Sequence, residues 1–139
     1  APGALGALGA PGAAAAAPAG GHPAKLWISS PNGQVECAGE YGLVPGQRAN
    51  GQPLWRKVGA ELWLYSSTLG VWAVGGAAAR DQQFKCALCV LYCKQPGGHS
   101  GALPHRLAVR GAPAAEWQRW DGALGAWRGD PTIGVAEVP

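Results

Sequence analysis

The chain has no methionine, a single phenylalanine and few charges, with charged side chains at 14% of its 139 residues against roughly 25% in an average soluble domain. Each shortage excludes something. The lack of methionine, at position 1 as elsewhere, points to a processed product or a piece of something longer. No run of about 18 apolar residues exists, so no membrane-spanning helix is expected. The 11 Lys and Arg are scattered and the net charge is only +3. Nothing therefore tracks a phosphate backbone, and no nucleic-acid partner is expected. The four Cys are too few for a disulfide-built scaffold. A P-loop, a G-x-G-x-x-G after a strand and an H-E-x-x-H helix are all missing, and no carboxylate pair stands out for acid–base work. Gly98-His99-Ser100-Gly101-Ala102 approaches a nucleophile elbow, but Ala102 stands where the second glycine belongs and Pro104 blocks the helix that should follow. The expectation is a protein that is not an enzyme and carries no cofactor.

What is abundant is glycine (23), proline (12) and tryptophan (7). That much Gly and Pro argues for many turns and against long helices. Residues 1–24 contain only Ala, Gly, Pro, two Leu and His22, which reads as a disordered linker without a core of its own. From Lys25 the composition changes, and residues 25–139 read as one folded unit.

Within that unit a stretch nearly occurs twice. Glu61 to Trp72 reads ELWLYSSTLGVW and Glu116 to Trp127 reads EWQRWDGALGAW. Laid over each other, Tyr65 meets Trp120, Leu69-Gly70 meets Leu124-Gly125, and Trp72 meets Trp127. An aromatic, a short polar turn, Leu-Gly and a Trp is the pattern of two short strands joined by a tight loop. Further short strands are predicted at Lys25–Ser29, Val35–Val44 (bulged), Pro53–Val58, Phe84–Cys93, Arg106–Val109 and Thr132–Val138. Pro31-Asn32-Gly33, Asn50-Gly51, Asp121-Gly122 and Asp130-Pro131 are predicted turns, and Gly75–Arg80 a loop or one helical turn. The fold class is all-β: a single small antiparallel barrel or sandwich-like domain of short hairpins behind a disordered N-terminal tail.

Gly39-Glu40-Tyr41, Asn50-Gly51-Gln52-Pro53-Leu54-Trp55, Leu64-Tyr65 and Gly70-Val71-Trp72-Ala73-Val74-Gly75 follow one another in order. Trp117-Gln118-Arg119-Trp120-Asp121-Gly122 and Asp130-Pro131-Thr132-Ile133 come after them. Over about residues 26–138 this order resembles a small Trp-rich β repeat module of large uncharacterised proteins from unicellular algae and other protists. The resemblance implies a unit attached to or assembled with other domains, and brings no chemistry with it. The thiols Cys86, Cys89 and Cys93 depart from the module's pattern.

Those thiols, in C-x2-C-x3-C spacing near His99, are the weak candidates for a metal site. The competing readings are buried free thiols or one disulfide from Cys37 to one of the three. In an apolar strand Cys89 and Cys93 would share a face and Cys86 would point the other way. The tryptophans make the stronger case. Trp55, Trp72 and Trp127 are predicted core. Trp63, Tyr65, Trp117 and Trp120 are the candidate aromatic face for a protein or carbohydrate ligand. The expected function is a non-catalytic interaction module. The alternatives are a structural spacer subunit or a small Cys/His metal-binding domain.

Overall fold

The computed structural model describes residues 22–110 and 115–138. The disordered head expected over residues 1–24 therefore lies, up to residue 21, outside the described residues. Pro23 is already buried, its carbonyl accepting the Trp55 indole N–H at 2.9 Å.

Over the described residues the domain is all-β, one antiparallel sheet of nine strands curled into a half-barrel. The strands are β1 (Lys25–Ser29), β2 (Gly39–Ala49), β3 (Gln52–Lys57), β4 (Trp63–Ser66), β5 (Trp72–Gly75), β6 (Leu91–Lys94), β7 (Glu116–Asp121), β8 (Ala126–Gly129) and β9 (Gly134–Glu137). The sheet is a meander from β1 to β8, and β9 returns to pair with β1 at the other side, giving the order β8-β7-β6-β5-β4-β3-β2-β1-β9. One short helix, α1 (Ala77–Asp81), follows β5.

Side chains alternate across a pleated sheet, and the register sets one row on the inner face: Leu43 opposite Trp55, Trp55 opposite Leu64, Leu64 opposite Val74, Val74 opposite Leu91. With Leu26, Ile28, Tyr41, Trp72, Cys93 and Trp117 these fill the hollow of the barrel. Trp55 and Trp72 meet edge to face at 5.9 Å, and the Trp72 indole N–H donates to the Ala102 carbonyl at 2.7 Å. A large amphipathic ring thus fills the core while its one polar atom stays paired.

The outer face is covered over β3–β5 by α1 and the segment after it. Trp63, Tyr65, Ala73, Ala79 and Phe84 form this second cluster. Gly75 makes the approach possible, since a Cβ there would lie 2.4 Å from the Leu88 carbonyl oxygen. Central strands apolar on both faces, as β4 is, thereby gain cover on both sides.

Several sequence expectations are corrected. Val35–Cys37 is a 3-10 turn. The β2 strand runs on through Pro45-Gly46 by a bulge between Leu43 and Arg48, the usual way for a strand to accommodate an extra residue and bend. Phe84–Cys93 is not one strand: Gln83 and Phe84 have positive φ, which breaks the extended run, and only Leu91–Lys94 pairs. Pro104–Arg110 is 3-10 rather than strand. Asn50-Gly51, with φ of 52° and 82°, forms the β2–β3 hairpin turn that this dipeptide favours.

The curl is held where the β1–β2 connection meets β7 and the chain beyond β8. Gln34 Nε2 donates to the Trp120 carbonyl at 2.9 Å and Asn32 Nδ2 to Thr132 Oγ1 at 3.1 Å. Gly33 has no side chain because the Arg119 guanidinium occupies that space: a Cβ would fall 2.5 Å from Nη1. Arg119 Nε lies 3.0 Å from Asp130 Oδ2, with the two side chains 12% and 4% exposed.

Candidate functional site: the outer face of β6–β8

The structure does not gather Trp63, Tyr65, Trp117 and Trp120 on one face. Trp63 and Tyr65 lie under α1 and the following segment. Trp63 packs edge-on against Phe84 at 5.9 Å, with the Arg56 and Arg80 guanidinium groups 5.2 and 5.5 Å from its ring centre. Tyr65 is fully buried beside Phe84 and donates its hydroxyl to the Leu88 carbonyl at 2.6 Å. Trp117 points into the barrel. Of the four, only Trp120 is exposed, and its partner is Trp127, opposite it on β8 at 5.5 Å edge to face. Trp27 on β1 is also exposed.

Trp127 was expected in the core as the equivalent of Trp72. The reason it is not lies in the turns. In the first hairpin Ser67 Oγ accepts the Leu69 N–H, Ser67 N–H bonds the Val71 carbonyl, and Ser66 stands opposite Trp72. In the second, Asp121 Oδ1 accepts the N–H groups of Ala123 and Leu124, so the turn begins one residue earlier and Asp121 stands opposite Ala126. A one-residue slip turns every side chain to the other face. Trp72 is sealed inside, and Trp127 lies outside at 39% exposure. The turn-initiating residue was legible in the sequence and was the signal that could have located Trp127.

Half-buried Tyr92 adjoins this pair, meeting Trp127 edge to face at 4.8 Å. Beside these rings runs a groove of about 240 Å³ whose walls are Leu69, Val71, Ala73, Cys89, Tyr92 and Trp127, with Ser67 as a polar contributor. Leu69 and Leu124, at the tips of the two equivalent turns, are 72% and 60% exposed. The edge strand β8 is exposed along its whole length.

The cysteines divide between the two faces of the sheet. Cys93 is in the barrel core, while Cys86 and Cys89 pack together on the outer cluster. The expected parity of Cys89 with Cys93 fails because residues 84–90 are not strand. All four thiols are free. Burial, followed by the Glu36 charge, pushes Cys37 up to about 12, and burial followed by Glu116 does the same to Cys93. His99 is remote from these thiols in function: it is hydrogen-bonded to Ser66. Among the described residues no group of three or more His, Cys, Asp or Glu side chains is arranged to hold a metal ion.

The Ser66–His99 contact, 2.7 Å from Oγ to Nε2, is one that sequence reasoning missed. It has the look of a nucleophile and its base, but the second ring nitrogen decides otherwise. Nδ1 accepts the Gly101 N–H at 2.9 Å, so the proton of the neutral ring sits on Nε2 and is donated to the serine. In that tautomer the imidazole cannot take the hydroxyl proton. The ring stacks on Trp72 at 5.0 Å, and burial holds its pKa below the ordinary value. The pair straps the loop after β6 across the end of the barrel.

A second cavity of about 300 Å³ lies between the 3-10 residues Pro104–Leu107 and the approach of β7 to β9, walled by Leu107, Trp117, Ile133 and Val135 with His105, Glu116 and Asp130. Asp130 is committed elsewhere. Burial opposes its charge, but hydrogen bonds from Thr132 and the Arg119 guanidinium outweigh that and hold its pKa low.

No family model, curated protein or solved structure matches the chain.

Proposed function

We propose that this domain is a non-catalytic interaction module that binds a protein partner through the outer face of β6–β8. The observation that carries the reading is the exposed Trp120–Trp127 pair, with half-buried Tyr92 against it, beside a mostly apolar groove that exposed Leu69 also lines. Monomeric soluble domains seldom leave adjacent large apolar side chains in water unless something covers them. Tryptophan and tyrosine are also the side chains that anchor protein contacts most strongly.

Two features favour a protein over a carbohydrate. Sugar rings stack best on flat, coplanar platforms flanked by hydrogen-bonding groups. Here Trp120 and Trp127 stand at 73° to each other, and apart from Ser67, the Cys89 thiol and the Tyr92 hydroxyl the groove's lining side chains are apolar. A protruding aliphatic or aromatic side chain suits such a groove better.

The test is tryptophan fluorescence with iodide quenching of the full chain, run against a peptide array and a glycan panel. Binding of peptides that shields Trp120 and Trp127, and is abolished by Trp127→Ser while the fold persists, is the expected result. Retained affinity in Trp127→Ser, or protection by glycans alone, refutes the assignment.

A further inference from the structure

Cys86 and Cys89 lie on the stretch of chain that wraps the Tyr65 hydroxyl. That hydroxyl donates to the Leu88 carbonyl at 2.6 Å and lies 3.8 Å from Cys86 Sγ. Both thiols pack on the outer cluster around Tyr65 and Phe84, and both are half-buried. Cys37 and Cys93, by contrast, are sealed in the barrel. Only two residues separate them, and both pack against the same outer cluster; burial, then the charge of Cys86, pushes the Cys89 thiol up to about 11.

No strand ladder fixes the backbone here. Residues 86–89 belong to no strand, and Cys86 sits at a bend. The segment is tied by two carbonyls: that of Cys86 to the Thr68 N–H at 3.1 Å, and that of Leu88 to Tyr65. Neither bond uses a sulfur. Cys86 Sγ would give up only its long contact to a hydroxyl whose proton already has a carbonyl acceptor, and a thiol is a weak partner in any case.

We propose that Cys86 and Cys89 form a reversible dithiol–disulfide pair, oxidised by exchange with a small-molecule disulfide of the glutathione type. One cysteine thiolate attacks a sulfur of the oxidant, forming a mixed disulfide and releasing one glutathione thiol. The second cysteine thiolate then attacks the cysteine sulfur of that mixed disulfide. The Cys86–Cys89 bond forms and a second glutathione thiol leaves. Two protein thiols are oxidised and one disulfide is reduced to two thiols. Half-exposure gives the access this exchange needs, which the two core thiols lack. The proposal does not depend on the reading of the outer aromatic face.

The full chain, equilibrated against graded ratios of reduced to oxidised glutathione, is quenched with acid, denatured, alkylated and digested with trypsin. Cleavage after Lys85 and Lys94 releases one peptide that carries Cys86, Cys89 and Cys93 together. As the buffer becomes more oxidising, two alkylation sites are expected to vanish together, leaving a ring that spans Cys86 to Cys89. Cys93 and Cys37 stay fully alkylated, and dithiothreitol restores both lost sites. In Cys86→Ser the ring is absent and Cys89 carries a glutathione adduct instead. A ring closed on Cys93, a bridge to Cys37, single adducts without a ring in the unaltered chain, or four free thiols at the most oxidising ratio would each overturn the proposal.

Discussion

His99 is the side chain whose loss should be felt furthest from its own position. It lies in the loop after β6, yet it bonds Ser66 at the end of β4, accepts the Gly101 N–H and stacks on Trp72. Its own N–H donates to the Gly70 carbonyl at 2.9 Å. Replacing it with alanine leaves the buried Ser66 hydroxyl without its partner, at about 1–3 kcal/mol, while the exposed Gly101 N–H can turn to water. It also removes the stacked ring, worth about 1 kcal/mol. The sum is about 2–4 kcal/mol, or a fall in Tm on the order of 10 °C for a chain of this size. Acid should act on the same bonds. Protonation places a second N–H on Nδ1, which then faces the Gly101 donor with nothing to accept it. Since burial lowers the pKa of His99 in the folded chain, the unfolded chain takes up its proton first. The stabilising contribution is therefore complete above the unfolded value of about 6.5 and is lost as pH falls below it toward the folded pKa. Thermal melts of wild type and His99→Ala between about pH 7.5 and pH 5 test this. The gap between the two should narrow as pH drops. His22 and His105 also have lowered values, but both remain in each protein and cancel in the difference. A gap that stays constant with pH would refute the assigned tautomer, and a gap below about 1 kcal/mol would refute the strap itself.

Two further outcomes follow from the register and the seam. Trp72→Ala should cost about 3–5 kcal/mol in denaturant unfolding, because a fully buried ring is deleted. Trp127→Ala, at the equivalent sequence position, should cost no more than about 1 kcal/mol and should remove the exciton couplet expected in circular dichroism from the Trp120–Trp127 geometry. Equal costs at the two sites would contradict the slipped register. Arg119→Ala should cost about 3–5 kcal/mol, since it leaves the Asp130 carboxylate buried and unpaired. The Asp130 pKa is held low in the folded chain, so its contribution is present above the unfolded value of about 3.9 and is lost as pH falls through the folded one. The cost of Arg119→Ala should accordingly shrink in acid melts; an undiminished cost at about pH 2 would locate the effect elsewhere.

What the sequence disclosed follows from which signals are local. The strand Lys25–Ser29, the Asn50-Gly51 turn and the two Trp hairpins each rest on a few neighbouring residues, and each forms where local chemistry directs. The pairing of β9 with β1 rests on no neighbouring signal, since the last strand must cross to the far side of the sheet. The apolar run Phe84–Cys93 misled for a related reason: apolar character reports burial and not conformation, and Phe84 is buried while its backbone leaves the β region. The same ambiguity decided the aromatic face. Trp63 and Tyr65 do point outward from the barrel, as a binding face would. They are covered because the chain between β5 and β6 folds back over them. Nothing in the residues around Trp63 announces that cover.

Among the described residues the second hairpin has no such cover, and this separates the two copies of the repeat more than their sequences do. In the first copy, α1 and residues 82–90 close over the outer face, and the position of Trp72 turns inward. In the second, the chain leaves β8 through Asp130-Pro131 for the far edge of the sheet, and the earlier turn at Asp121 turns Trp127 outward. Both differences push apolar surface toward solvent on the same three strands. Had the second turn begun at Gly122, as the first begins at Ser67, Trp127 would lie on the barrel side and Ala126 would stand outside. The carboxylate of Asp121 sets that choice through two backbone N–H groups. One turn residue thus decides whether this hairpin adds to the core or offers a surface for contact.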